Sequence, residues 1–169
     1  MKVLLTGGAG YIGSHTLVEL IKQSEDVTVI DNLANSSFEA IKRVKFLTGK
    51  QVDFLPIDLL DRRKLSKLFD EHFFDVVIHL AGLKTVSESL KSPLSYYENN
   101  ITGTINLCKA MLNHGIHNLI FSSSATVYGK ASELPIREHS STTGATNPYG
   151  QTKLMIEKIL MDLSNSNPQ

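Results

Sequence analysis

Five short apolar runs rich in Val and Ile recur along the chain, at 2–6 (KVLLT), 26–31 (DVTVID), 52–57 (VDFLPI), 75–80 (DVVIHL) and 118–123 (NLIFSS). Each is nearly continuous rather than alternating, the pattern of parallel strands covered on both faces. Helical spacing fills the intervals at 11–23, 37–47, 61–72, 94–114 and 148–163. A strand-helix pair repeated five times predicts an α/β fold with a doubly wound parallel sheet, because parallel neighbours need a crossover and a helix is the usual one. Asp61 and the pair Asn147-Pro148 mark two helix starts, a capping side chain and a proline at the first helical position. The stretch from Gly129 to Thr146 reads as a long loop, functional or mobile by its length. No repeat, low-complexity tract or linker interrupts residues 1–169, which read as one domain.

Composition acts mainly by exclusion. A hydrophobic share of 41% supports a real core, and 17 basic residues cancel 17 acidic ones. With no net field, nucleic acid is not an expected partner. The clusters Lys42-Arg43-Lys45 and Arg62-Arg63-Lys64-Lys67 read as solvated helix faces. One cysteine, Cys108, cannot form an internal disulfide, sits among Leu107, Ala110 and Met111 as an inert packed thiol, and suits a reducing cytoplasm. The amino-terminal apolar run stops at Gly7-Gly8 and no run reaches 18 residues, so neither export nor a membrane span is expected. Six scattered histidines offer no metal-ligand spacing, and no metal is expected.

The first strand runs directly into Thr6-Gly7-Gly8-Ala9-Gly10-Tyr11-Ile12-Gly13 and then a helix. Glycines at this spacing permit a tight turn, close backbone approach to a pyrophosphate, and an anion at the positive end of the helix. A glycine pattern alone is weak; its place at the first strand-helix junction makes this one strong. Asp31 ends the second strand, 21 residues after Gly10, where a carboxylate accepts from both hydroxyls of an adenine ribose and repels a 2′-phosphate. That favours NAD over NADP, the plainer reading of Asp31 being a helix cap. Asp58 ends the third strand, either to reach the adenine amino group or as a turn residue. Small residues in Leu80-Ala81-Gly82 after the fourth strand suit a backbone lying close to the dinucleotide.

Tyr149 and Lys153 stand four apart on the last helix and share a face. A phenol is a poor base at neutral pH, and a neighbouring ammonium together with an oxidised nicotinamide favours its phenolate. Ser122-Ser123-Ser124 closes the fifth strand, where a hydroxyl can bind a substrate oxygen or relay its proton. Tyr-x-x-x-Lys is common by chance, but a strand-end serine and a dinucleotide loop ahead of it raise its meaning. A hydrolase nucleophile at Ser124 would need a G-x-S-x-G elbow, which is missing.

The set Thr6 to Gly13, Asp31-Asn32-Leu33, Ala81-Gly82-Leu83-Lys84, Asn99-Asn100, Ser122 to Gly129 and Tyr149-Gly150-Gln151-Thr152-Lys153 resembles the extended short-chain dehydrogenase/reductase family over the whole chain. Within it the resemblance is greatest to nucleotide-sugar 4-epimerases acting on UDP-glucose and UDP-galactose. Ala125 and Thr126 stand where family dehydratases carry an Asp-Glu pair, which argues against dehydration. The resemblance implies an NAD-binding Rossmann fold, with Tyr149 as base, Lys153 as its electrostatic and ribose partner, and Ser124 as substrate hydroxyl ligand. It implies NAD contacts from Gly7, Gly10, Tyr11, Ile12, Gly13, Asp31, Asn32, Asn35, Ser36, Asp58, Leu59, Leu80, Ala81, Lys84 and Asn99, besides Tyr149 and Lys153. Leu80 stands where relatives often have Phe. A homodimer through the helices at 94–114 and 148–163 is implied as well. Family members run about as long again, adding a strand and a carboxyl-terminal substrate domain. On that comparison the chain is expected to lack the substrate domain, to leave its fifth strand at an edge, and to be compromised alone. A non-catalytic NAD-binding module and another nucleotide-sugar epimerase or reductase are the competing readings.

Overall fold

The computed structural model describes residues 1–130, 134–142 and 144–166. Its strands are β1 (Lys2–Thr6), β2 (Asp26–Ile30), β3 (Asp53–Leu55), β4 (Val76–His79) and β5 (Leu119–Phe121), all parallel and ordered β3-β2-β1-β4-β5. The helices are α1 (Tyr11–Lys22), α2 (Phe38–Thr48), α3 (Arg62–Glu71), α4 (Val86–Lys91), α5 (Pro93–Tyr96), α6 (Gly103–Asn113) and α7 (Pro148–Ser166). A π-helical turn, Tyr97–Thr102, joins α5 to α6, and a 3₁₀ turn covers Ala125–Tyr128. The doubly wound parallel sheet expected from the sequence is present. The chain divides into two compact units, one of Met1–Gly82 with Ile105–Ser122, the other of Leu83–Thr104 with the residues from Ser123 on.

In the first unit, neighbouring residues of a strand point to opposite faces, and each face is covered. Val3 and Leu5 of β1 join Leu17 and Ile21 of α1 and Ile41 and Val44 of α2. Leu4 between them joins Leu65, Leu68 and Phe69 of α3 and Leu107 and Met111 of α6. Burial on both sides is why the strands read as unbroken apolar runs. Cys108 is buried in α6, as expected of a packed thiol, and burial pushes it up to about 11. β5 pairs only with β4 among the described residues, and its central Ile120 is 56% exposed.

The second unit is built on α7, which packs against α4, α5, the π turn and the 3₁₀ turn. Tyr96, Asn100, Thr152, Lys153 and Ile156 are its buried centre. Both signalled caps are in place: Asp61 accepts from the Lys64 N–H, and Asn147 from the Gly150 N–H. The helix read at 94–114 is in fact α5, a π turn and α6, and α4 precedes it without a clear periodic signal. Six residues are too few to show a helical period. The loop expected over 129–146 carries no helix or strand in its described residues; positions 131–133 and 143 lie outside them.

Candidate active site

In the first unit the glycine loop turns on backbone geometry. Gly7 has φ +72°, and a Cβ there would lie 2.6 Å from the Ala81 nitrogen, so β1 can end this close to the segment after β4 only through glycine. A side chain on Gly13 would run into the Gly7 carbonyl at 2.2 Å, whereas one on Gly10 meets nothing nearer than 3.3 Å. Gly10 is the N-cap of α1 with no side-chain cap, and Tyr11 and Ile12 are exposed beside it. Backbone N–H groups at the positive end of α1 therefore face an approachable surface, a cradle that suits a pyrophosphate.

Around this loop the acids are organisers. Asp31 is 7% exposed and its carboxylate accepts from the Ala9 N–H (3.0 Å), the Leu33 N–H (2.9 Å) and the Ser36 hydroxyl (2.8 Å). It caps no helix: the N-cap of α2 is Ser37. Asp31 thus braces the glycine loop against the turn after β2, a role that its position at a strand end did not reveal. Asp58 accepts from the Leu60 N–H (2.8 Å) and from Asn32 Nδ2 (2.9 Å), so the turn reading holds for one of its oxygens. The Leu59 carbonyl accepts from Asn106, and Asn35 Nδ2 donates to the Gly82 carbonyl at 3.3 Å. Leu80 and Ala81 are fixed by bonds from their N–H groups to the Thr6 carbonyl and hydroxyl. The loop, Asp31, Asn32, Asn35, Ser36, Asp58, Leu59, Leu80 and Ala81 are therefore collected at the carboxyl ends of β1 to β4, where open α/β sheets bind ligands.

In the second unit Tyr149, Lys153 and Glu157 follow one another at single-turn intervals along α7 and share a face. Lys153 is 5% exposed, and burial pushes it down to about 8, since removing water disfavours the ammonium. Tyr149 is half-buried, and its carbonyl accepts from Thr152 Oγ1. Ser124 caps the 3₁₀ turn; its Oγ accepts from the Thr126 N–H (3.2 Å) and the Thr126 hydroxyl (2.9 Å), which leaves its own hydrogen as what it has to donate. Next to it, Ser123 donates to the Glu157 carboxylate. A Cβ on Gly150 would lie 2.6 Å from that of Ala145 and 3.0 Å from Thr126 Oγ1, so a glycine here lets the serine turn close on the first turn of α7.

Asn100 holds this unit together. It is 3% exposed and makes four bonds: Nδ2 donates to the Leu83 carbonyl and to Thr152 Oγ1, and Oδ1 accepts from the Leu83 N–H and from Asn99. One amide so fixes the segment bearing Lys84, the π turn bearing Asn99, and the turn of α7 between Tyr149 and Lys153. Sequence reasoning gave no role to Asn100, Thr152, Glu157 or Gly150. The visible signal was two poor helix formers, Asn99-Asn100, inside a helical stretch. π turns of this kind gather at functional sites.

Comparison with known proteins agrees with this geometry. The NAD dependent epimerase/dehydratase family model matches residues 3–168. The UDP-glucose 4-epimerase of Bacillus subtilis is 55% identical over 167 residues, covering 99% of this chain and 49% of that protein. The mouse UDP-glucose 4-epimerase is 51% identical, covering 98% and 50%. Among solved structures, UDP-glucose 4-epimerase from Bifidobacterium longum in complex with NAD+ and UDP superposes with a TM-score of 0.97 at 48% identity, covering 99% of this chain and 50% of that one. The chain spans about half the length of the curated relatives it matches. A match that runs from the first strand to the end of α7 places the chain in the NAD dependent epimerase/dehydratase family.

Proposed function

We propose that this chain is the NAD-holding and catalytic half of a UDP-glucose 4-epimerase, interconverting UDP-glucose and UDP-galactose through a transient 4-keto sugar. The observation that carries the reading is a buried lysine one turn from a tyrosine on α7, in a unit whose serine turn packs on the same helix. The chemistry that NAD would supply here is reversible acceptance of a hydride from C4 of the sugar. The glycine loop and the α1 N-terminus would hold its pyrophosphate, and Asp31, Asn32, Asn35, Ser36, Asp58 and Leu59 its adenosine end. With three of about four lone-pair sites occupied, Asp31 keeps one, on Oδ2, for a ribose hydroxyl. Leu80, Ala81, Lys84 and Asn99 would line the remainder.

Tyr149 would take up the proton of the 4-hydroxyl, hold it, and return it to the same oxygen of the turned sugar. With burial pushing it to about 8, Lys153 remains about nine-tenths protonated at pH 7. Its charge favours the Tyr149 phenolate, and it also donates to the ribose. Ser124 donates to the sugar oxygen at C4. Cytoplasmic location and a homodimer through the helices at 94–114 and 148–163 belong to the same reading, the latter checked by sedimentation at high concentration.

Two measurements test it. Mass spectrometry of the denatured protein should find NAD and not NADP; NADP alone would refute the part given to Asp31. Purified chain mixed with a separately expressed carboxyl-terminal half of a relative should interconvert UDP-hexoses, and the chain alone should do so far more slowly or not at all. Bound NAD with no turnover in either sample would leave a cofactor-binding module.

A further inference from the structure

β2 and β4 lie on either side of β1, so the segments leaving their carboxyl ends flank the glycine loop. The segment after β2 reaches out in both directions. Asn32 Nδ2 donates to Asp58 beyond β3, and Asn35 Nδ2 donates to the Gly82 carbonyl beyond β4, 47 residues away in sequence. The second bond therefore crosses the end of β1. Between these anchors Leu33 has φ 59°, a left-handed conformation that non-glycine residues avoid and keep only while their surroundings hold them. Asn35 itself is exposed, so its bond can break and re-form without disturbing the core.

We propose that Asn35 is a latch, whose bond to Gly82 closes residues 31–36 across the glycine loop and must open for NAD to enter or leave. The proposal rests on the NAD reading above and adds a second role to the contact that reading gives Asn35. A contact made only in the complex slows release and leaves entry unchanged. A latch closed in both the free and the bound chain slows both.

Losing one exposed hydrogen bond should populate the open segment about three- to tenfold more. Asn35→Ala should therefore raise the association rate constant by about that factor and the dissociation rate constant by at least as much. The rates are measured by stopped flow on the 169-residue chain stripped of its copurified NAD, with NADH followed by its own fluorescence. Faster release with unchanged entry would make Asn35 an ordinary ligand and overturn the latch, as would no change in either rate. A wild-type chain that binds no NADH would sink the cofactor reading instead. The latch is then decided in the cofactor-free chain by hydrogen exchange at the Leu33 and Ala34 amides, which donate to Asp31 and Asn32. Faster exchange in Asn35→Ala supports it, and equal rates overturn it.

Discussion

The two units build their candidate sites by opposite means. Around the glycine loop, two-residue turns at Asp31–Leu33, Asn32–Ala34 and Asp58–Leu60 alternate with single long-range bonds spread over separate side chains, Ala9–Asp31, Asn32–Asp58 and Asn35–Gly82. On α7, order comes from distant partners: Asn100 with Leu83 at 17 residues and Thr152 at 52, Ser123 with Glu157 at 34. Local turns form on their own and fail singly, whereas a buried long-range network stands or falls as a whole. The binding end is a set of separable parts; the chemical end is one piece.

The comparison breaks most sharply at the tyrosine. Tyr149→Phe should lower UDP-hexose turnover by roughly a thousandfold, the scale of a lost general base, while NAD remains on the purified protein. Retained turnover would remove the acid-base role. Next, Asn100→Ala should destabilise the chain by about 3 kcal/mol in urea, because it strands buried and part-buried partners on three segments. A loss no larger than that of a surface residue would dissolve the idea of a single piece.

Lys153 carries a pH signature of comparable size. Its folded value, about 8, lies below its ordinary 10.5, so the unfolded chain holds a proton that the folded chain has released. Stability of the NAD-free chain should therefore rise as pH climbs from about 8 to 10.5, by at most about 3 kcal/mol. Lys153→Met should remove that rise, as read from urea melts across the range. On the local side, Asn32→Ala should cost less than about 1 kcal/mol in the same melts.

The smallest effect is expected at His114, which donates to Asp70 and the Ala110 carbonyl and is raised by both. A raised histidine contributes stability that is complete below its ordinary 6.5 and is lost as pH climbs through its higher folded value. With Asp70 largely exposed, His114→Ala should cost only a few tenths of a kcal/mol more at pH 6 than at pH 9.

The same contrast explains what could be read in advance. The five strands, the glycine loop, Asp31 and the Tyr149–Lys153 spacing were legible because each is written in a few adjacent residues or a simple period. The brace made by Asp31 to Ala9 was not, since it joins a strand end to a loop 22 residues earlier. Nor was the π turn: two poor helix formers, Asn99-Asn100, mark the stretch without saying how it winds, and partners that hold the Asn100 amide lie far off at Leu83 and Thr152. The burial of Lys153 is likewise invisible in its own neighbourhood; it follows from what packs against α7.

Cys108 provides a means of timing such events. It is the chain's single thiol, shielded in α6 and holding its proton up to about 11, so a disulfide reagent cannot react until that helix leaves the sheet. Coloured product from such a reagent would then count openings of the sheet-bearing unit alone, without any engineered label. Adding NAD to the same tube would convert that clock into a measure of how far the cofactor protects the half of the molecule that holds it.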